Sequence, residues 1–109
     1  MAFSSKFVEK EPTRKDIDAL SGPAVLQFGT DWCGYCQEAE PIIRRAFSAH
    51  PQVAHIKVED GRGRRLGRSF GVKLWPTLVF LKDGCEVARL IRPESMQAID
   101  LAMKKIDCP

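Results

Sequence analysis

The sequence contains no apolar run that approaches the ~20 residues needed to cross a bilayer. Its first residues, MAFSSKFVEKEPTRKD, contain no apolar stretch of the length that a secretory signal needs. It also contains no internal repeat, no low-complexity tract and no linker. These absences predict a soluble cytoplasmic protein with one domain over residues 1–109, in which residues 1–11 form a loosely ordered N-terminal segment. Thiols are kept reduced in that compartment, so a stable structural disulfide is not expected.

The chain also lacks a strong excess of charge of either sign. Seventeen Lys and Arg residues stand against fourteen Asp and Glu residues, which leaves a net charge of +3. This balance predicts neither a nucleic-acid partner nor a membrane partner. Hydrophobic residues make up 44% of the sequence, and a domain of this length should bury roughly 65% of its unfolded surface. We therefore expect a monomer with its own core.

Cysteine is scarce: the sequence contains Cys33, Cys36, Cys85 and Cys108. Only the first two are close together in the chain. Such a pair is a redox dithiol, half of a metal site, or two ordinary buried thiols. A four-cysteine zinc site normally shows two close pairs, whereas Cys85 and Cys108 are far apart and neither lies in a CxxC. The spacing therefore predicts no metal site.

Apolar periodicity predicts helices and strands in alternation. In chain order these are a helix capped by Thr13 and ending near Leu20, a strand over 24–29, a helix over 33–49, a strand over 53–58, a helix over 64–70, a strand over 77–81, a strand over 85–91 and a helix opened by Pro93. Strands separated by helices favour parallel pairing, and a turn at Asp83–Gly84 adds an antiparallel edge. The expected fold is α/β, with a mixed sheet of four to five strands between about four helices.

The position of the two cysteines suggests different chemical roles for them. At the junction of a strand and a helix, the Cys33 sulfur would face unpaired N–H groups, which favour a thiolate. Cys36 lies one turn further on and deeper, within reach of a mixed disulfide formed at Cys33. Gly34 supplies the flexibility for the tight ring between them. We therefore expect Cys33 to attack and Cys36 to resolve.

Four features together resemble the thioredoxin family: WCGYC, Pro41 five residues later, WPT, and KDG. The resemblance extends from about Pro12 to Ile106. It implies a thioredoxin-like fold and a thiol–disulfide oxidoreductase that reduces protein disulfides by dithiol exchange. It also implies no metal or bound cofactor, and an unidentified electron-donor reductase as partner.

The resemblance further implies that Pro76 is a cis-proline facing the dithiol. Without it, the base rate of X–Pro bonds would favour trans. A cis bond presents the backbone of the preceding residue, Trp75, to a bound peptide. Exposed aromatic side chains around a cleft favour partner binding, so Trp75, Trp32 and Tyr35 are candidates for an apolar docking face. The alternative for Trp75 is core packing. Gly34 and Thr77 complete the expected groove.

The chain departs from the family pattern in several places. Tyr35 replaces the usual proline. Gln27 replaces a buried aspartate that assists the resolving thiol. A glutamine side chain cannot take up a proton as that aspartate does. His55, where the family usually has lysine, and Glu59 are candidate proton acceptors, although His55 could equally be structural and water could carry the proton. The sequence RPE replaces a glycine after the last strand, so the third loop of the groove should be crowded.

Two other functions remain open on the sequence. Tyr35 resembles the residue found in periplasmic disulfide isomerases, which favours an isomerase or oxidase, whereas the missing signal peptide opposes it. A binding or assembly module with a regulatory dithiol is the other alternative. Turnover of a disulfide substrate distinguishes an enzyme from a binding module.

Overall fold

The computed structural model describes residues 3–107, so the role of Cys108 lies outside the described residues. These residues form four helices and four strands. In chain order they are α1 (Arg14–Asp18), β1 (Pro23–Gly29), α2 (Gly34–Ser48), β2 (Ala54–Glu59), α3 (Arg65–Ser69), β3 (Thr77–Lys82), β4 (Cys85–Ile91) and α4 (Met96–Ile106). The predicted α/β architecture is confirmed, and the sheet has four strands in the described part of the chain.

The sheet has the strand order β2-β1-β3-β4. β1 and β2 are parallel, as predicted, whereas β3 is antiparallel to β1 and to β4. The expectation that all helix-separated strands pair in parallel is therefore wrong for β3. β2 ends at Glu59 beside Gly29, and β3 begins at Thr77 beside Phe28, so the intervening chain stays at one end of the sheet. A parallel β3 would require that segment to cross the whole sheet first.

Apolar side chains form a core on each face of the sheet. One cluster joins α2 and α4 to the sheet and includes Val25, Ile43, Phe47, Phe80, Ile99 and Met103. The other joins α1 and α3 to the opposite face and includes Ile17, Leu26, Phe28, Leu66 and Leu81. Since β1 contributes to both clusters, its near-continuous apolar sequence reflects burial on both faces. This strand therefore supports the start of α2 rigidly.

Hydrogen bonds set the helix boundaries. The predicted cap of α1 is confirmed: the Thr13 hydroxyl accepts from the Asp16 N–H, and the Asp16 carboxylate accepts from the Thr13 N–H. The prediction that Pro93 opens the last helix is wrong. α4 begins at Met96, because the Ser95 hydroxyl accepts the Ala98 N–H at 3.2 Å and so satisfies the first turn.

Residues 3–11 form neither helix nor strand, but they contact the outer edge of β2. The Val8 N–H donates to the Lys57 carbonyl at 2.9 Å, and the Ser4 N–H donates to His55 Nδ1 at 2.7 Å. The Phe3 ring lies against the His55 ring, with 5.1 Å between centroids. The sequence did not predict these contacts, which cover His55 and Lys57 on β2.

Candidate active site

The dithiol lies where β1 leads into α2. Cys33 is the N-cap of α2, and its sulfur accepts a hydrogen bond from the Cys36 N–H at 3.2 Å. Both cysteines are free thiols. The expectation that Cys33 is the more exposed is not met, since each residue is 6% exposed. Cys33 is covered because the Trp75 carbonyl lies 4.0 Å from its sulfur. The two thiols therefore differ in their hydrogen bonds rather than in their exposure.

Burial raises the pKa of the Cys36 thiol to about 12, and its hydrogen bond with Cys33 adds to this effect. A hydrogen bond from the Thr30 backbone and the positive charge of Lys57 act in the opposite direction. Cys36 is therefore protonated at neutral pH. At Cys33, by contrast, a backbone N–H at the start of a helix points at the sulfur, which is the arrangement that supports a thiolate.

Gly29, the last residue of β1, makes room for the Cys36 side chain. A Cβ atom at Gly29 would lie 2.6 Å from the Cys36 sulfur, well inside van der Waals contact. The sequence analysis did not single out this glycine. A glycine at the end of an otherwise apolar strand is the available signal, because it often marks a close approach of another part of the chain.

The Trp75–Pro76 peptide bond is cis, as predicted, and it faces the dithiol through the Trp75 carbonyl. The indole N–H of Trp75 donates to the Asp60 carboxylate at 2.8 Å. The Thr77 hydroxyl donates to the Leu74 carbonyl at 2.6 Å, beside the proline. Hydrogen bonds on both sides therefore hold this loop in place over the sulfur of Cys33.

Aromatic side chains surround the dithiol. Trp32 is 71% exposed and Tyr35 is 55% exposed. Trp75 is half-buried and meets Trp32 edge to face, with 5.6 Å between ring centroids. Trp75 therefore belongs to the rim of the site and is not a core residue. Gly34 is exposed between the two cysteines, where a Cβ atom would meet nothing within 4 Å.

A buried polar cluster of Gln27, His55 and Lys57 lies on the α2 side of the sheet. In the register of β1 and β2, Gln27 is opposite Lys57, whereas His55 is opposite Val25 and reaches Gln27 with its side chain. His55 Nε2 lies 2.8 Å from Gln27 Oε1. The lysine of this pocket therefore stands at position 57, although the sequence analysis had placed the family's lysine at 55.

The contacts of His55 define its tautomer. Nδ1 accepts from the Ser4 N–H, so the proton lies on Nε2, which donates to Gln27. Burial, with the charge of Lys57, lowers the pKa of His55 to about 4. The imidazole is therefore neutral at pH 7, and neither nitrogen has a free lone pair. This geometry does not support His55 as the direct proton acceptor for Cys36.

Lys57 is a site residue that the sequence analysis missed. Its ammonium group is buried, donates to Glu40 Oε1 at 2.9 Å and to the Ser5 carbonyl at 3.2 Å, and favours the Cys36 thiolate electrostatically. A lysine inside the apolar run VAHIKV is the signal that would have found it. Glu59, the other candidate proton acceptor, instead pairs with Arg64 at 2.7 Å on the surface.

Arg92 produces the crowding that the RPE sequence predicted. Its backbone has a φ of 50°, in the left-handed region that favours glycine. Its Nε donates to the Trp75 carbonyl at 2.9 Å, and its guanidinium carbon lies 3.8 Å from the centroid of the Tyr35 ring. Arg92 therefore connects the cis-proline loop to the residue between the two cysteines.

Comparison with known proteins agrees with this geometry. The family model described as Thioredoxin matches residues 4–105. This chain belongs to the thioredoxin family. A thioredoxin from Chlamydia muridarum is 34% identical over 71 residues, which cover 65% of this chain and 70% of that protein. The solved structure of thioredoxin 2 from Pseudomonas aeruginosa PAO1, in its reduced form, is 51% identical with a TM-score of 0.86, and the match covers 96% of this chain and 97% of that one.

Membership of this family makes the chain a thiol–disulfide oxidoreductase of the thioredoxin type, and the comparisons do not favour the isomerase, oxidase or binding-module alternatives. Within residues 3–107, no group of three or more His, Cys, Asp or Glu side chains is placed to hold a metal ion. No helix in the same range has both the length and the apolar character needed to cross a membrane.

Proposed function

We propose that this thioredoxin-family protein reduces protein disulfides, with Cys33 as the nucleophile and Cys36 as the resolving thiol. The observation that carries the proposal is the hydrogen bond from the Cys36 N–H to the Cys33 sulfur. It favours negative charge on Cys33, while burial keeps the Cys36 thiol protonated. The two thiols are thus prepared for two successive steps.

In the first step, the Cys33 thiolate attacks one sulfur of a substrate disulfide. The substrate S–S bond breaks, a mixed disulfide forms at Cys33, and the departing substrate thiolate takes a proton from solvent. In the second step, Cys36 loses its proton and attacks the Cys33 sulfur, which releases the second substrate thiol. Two electrons pass to the substrate, and a Cys33–Cys36 disulfide remains.

The aromatic rim supports a protein substrate. Trp32, Tyr35 and Trp75 surround the dithiol with partly exposed apolar area, which suits a peptide segment containing a disulfide. Gly34 is exposed beside this rim, whereas Pro76 and Thr77 are buried and support the loop whose Trp75 carbonyl lies over the Cys33 sulfur. A groove of this kind binds peptides without needing a cofactor.

The oxidised protein must be reduced again before the next cycle. An electron-donor reductase that attacks the Cys33–Cys36 disulfide would supply the two electrons. We propose that the protein acts as a monomer in the cytoplasm, where such reducing partners keep thiols reduced. Gel filtration of the reduced protein tests the monomeric state, because a dimer would elute at twice the expected mass.

Insulin reduction tests the function. The pre-reduced protein should reduce insulin disulfides stoichiometrically without added reductant and catalytically with dithiothreitol. Mass spectrometry of the spent protein should find one disulfide, between Cys33 and Cys36. Cys85→Ser is the matched control, because Cys85 is exposed and remote in the hairpin, and its activity should be unchanged. A spent protein with both thiols still free, or insulin left unreduced, would refute the proposal.

A further inference from the structure

The loop between β4 and α4 contains an arginine with a backbone conformation that is unfavourable for its residue type. Arg92 has a φ of 50°, in the left-handed region where a non-glycine residue is strained. Its N–H donates to the Pro76 carbonyl at 2.8 Å, which holds the strained residue beside the cis-proline loop. Glycine would relieve the strain but would remove the side chain. The strain therefore directs attention to what that side chain does.

The Arg92 guanidinium lies close to the reacting sulfur. Its Nε and the Cys33 sulfur contact the same acceptor, the Trp75 carbonyl, at 2.9 Å and 4.0 Å. Its guanidinium carbon lies over the Tyr35 ring, 3.8 Å from the ring centroid. A permanent positive charge is thus held beside the place where a substrate disulfide must approach Cys33.

Only part of the hydrogen-bonding capacity of Arg92 is used. The Nε group has its acceptor, whereas the two terminal nitrogens make no hydrogen bond or ion pair with residues 3–107. A guanidinium presents donors in a planar fork that matches a carboxylate. Arg92 is half-buried in a cleft of about 360 Å³ that Tyr35 and Ile42 also line. The guanidinium is therefore oriented by its contacts with Trp75 and Tyr35, and the N–H groups of its two terminal nitrogens remain available to bind a ligand.

Two glutamates line the same cleft. Glu38 and Glu94 are exposed, and neither lies within 4.0 Å of the Arg92 guanidinium as an ion pair. Their charges repel an anion elsewhere in the cleft. A substrate carboxylate is therefore stabilised only where it contacts the guanidinium. This arrangement favours a substrate with one acidic side chain at the right position over a substrate that is merely acidic overall.

We propose that Arg92 is a specificity-determining residue that selects disulfide substrates with a carboxylate side chain next to the reacting cysteine. The inference rests on the proposed reduction of protein disulfides. The guanidinium binds the substrate carboxylate with its terminal nitrogens, while Nε and Tyr35 keep it in position.

Single-turnover reduction of matched peptides tests this selectivity. Pre-reduced protein is mixed with peptides that contain one disulfide and have Gln at both positions flanking the reacting cysteine, or Glu at one of them. The reduced dithiol supplies both electrons, so no other reductant is needed. One of the Glu peptides should require about five- to tenfold less peptide for half-maximal rate than the Gln peptide, as expected for a partly buried charge-assisted pair. The maximal rates should differ little.

Variants assign the preference to Arg92. Arg92→Gly suits the positive φ of the loop, so it should fold, and its Glu-to-Gln preference should fall to about one. Arg92→Lys keeps the charge without the fork and should retain only part of the preference. Arg89→Ala is the matched control: it also removes one positive charge, but Arg89 is held by Glu86 on β4. It should keep the full preference.

The outcomes separate this inference from the proposed function. Equal use of Glu and Gln peptides by the unchanged protein would overturn the role of Arg92 while leaving disulfide reduction intact. A preference that persists in Arg92→Gly, or disappears equally in Arg89→Ala, would also overturn it. Failure to reduce any of the peptides, together with failure on insulin, would overturn both proposals.

Discussion

Burial keeps two titratable groups neutral on the α2 side of the sheet: Cys36 in the first turn of α2, and His55, whose ring stacks on Phe47 near the end of that helix. It raises the pKa of Cys36 to about 12 and lowers the pKa of His55 to about 4. Just beyond the C-terminal end of the helix, His50 is also buried, but its ring nitrogens lie 2.6 Å from Asp107 Oδ2 and 2.7 Å from Asp100 Oδ1. Burial alone would lower the pKa of His50, and the two carboxylates outweigh it, so this pKa lies above its usual value.

The contrast shows that the partners of a buried group decide its charge. His55 has a neutral amide and a backbone N–H as partners, with the Lys57 ammonium nearby, so the uncharged ring is favoured. His50 lies between two carboxylates on α4 and the residue after it, so the imidazolium is favoured. His55 is thus held neutral on the α2 side of the sheet, whereas His50 joins the end of α2 to α4 by charge.

The largest effect is expected at the dithiol. Cys36→Ser should leave attack by Cys33 intact and slow release of the mixed disulfide by more than about 100-fold, since no thiol remains to resolve it. Covalent complexes with a protein substrate should accumulate on non-reducing gels. Cys33→Ser is the matched control and should trap none. Trapping by Cys33→Ser instead would reverse the two roles.

The neutral histidine should make the protein sensitive to acid. The folded pKa of His55 lies below the unfolded value near 6.5, so the unfolded state binds more protons as the pH falls. The stabilising contribution of this group is fully present above pH 6.5 and is lost as the pH falls towards about 4. The loss in the free energy of unfolding reaches about 3 kcal/mol at the lower pH. Urea unfolding at pH 7 and pH 4 should show a smaller loss for His55→Gln. An equal loss in both proteins would contradict the neutral state of His55.

The opposite pH dependence is expected for His50. Its folded pKa is raised, so its stabilising contribution is fully present below the unfolded value of about 6.5 and disappears as the pH rises through the folded value. His50→Gln should lower the free energy of unfolding by about 2 kcal/mol at pH 6, because buried charge-assisted hydrogen bonds are lost. The loss should be smaller at pH 9. If the loss of stability in His50→Gln does not change with pH, the positive charge of His50 is not what stabilises the protein.

A smaller effect is expected from the strand beneath the dithiol. Gly29→Ala places a Cβ atom 2.6 Å from the Cys36 sulfur, so the thiol must shift. We expect destabilisation of about 1–2 kcal/mol together with slower release of the mixed disulfide. Gly34→Ala is the control for stability, because a Cβ atom there meets nothing within 4 Å. Equal effects of the two substitutions would show that the close contact is not responsible.

The smallest effect concerns the proton of Cys36. His55 has no free lone pair, so His55→Ala should change the rate of mixed-disulfide release by less than about twofold. Gln27→Asp provides a carboxylate in the same pocket and should accelerate release. Single-turnover kinetics of the two variants, with the rate of initial attack as internal control, decides the point. A strong slowing in His55→Ala alone would restore the imidazole as the base.

The positions of some candidate site residues follow from local sequence. Cys33 and Cys36 are three positions apart at a helix start, and Pro76 follows Trp75 in a recognisable motif, so the motif itself places them. Gly29 and Lys57 were missed because their roles depend on residues of α2. Gly29 makes room for the Cys36 side chain, and Lys57 pairs with Glu40. Arg92 was seen only as a replaced glycine.

The sequence alone therefore determined the dithiol, its helix, the apolar core strands and the family, since spacing and periodicity are properties of short segments. Only the tertiary structure decided which groups carry charge and which contacts surround the sulfur. The direction of β3, the pairing of His50 with α4, and the approach of Arg92 to Trp75 all join residues that are distant in the chain. Burial and partner charge arise only when those segments meet, and they set the protonation of each buried group.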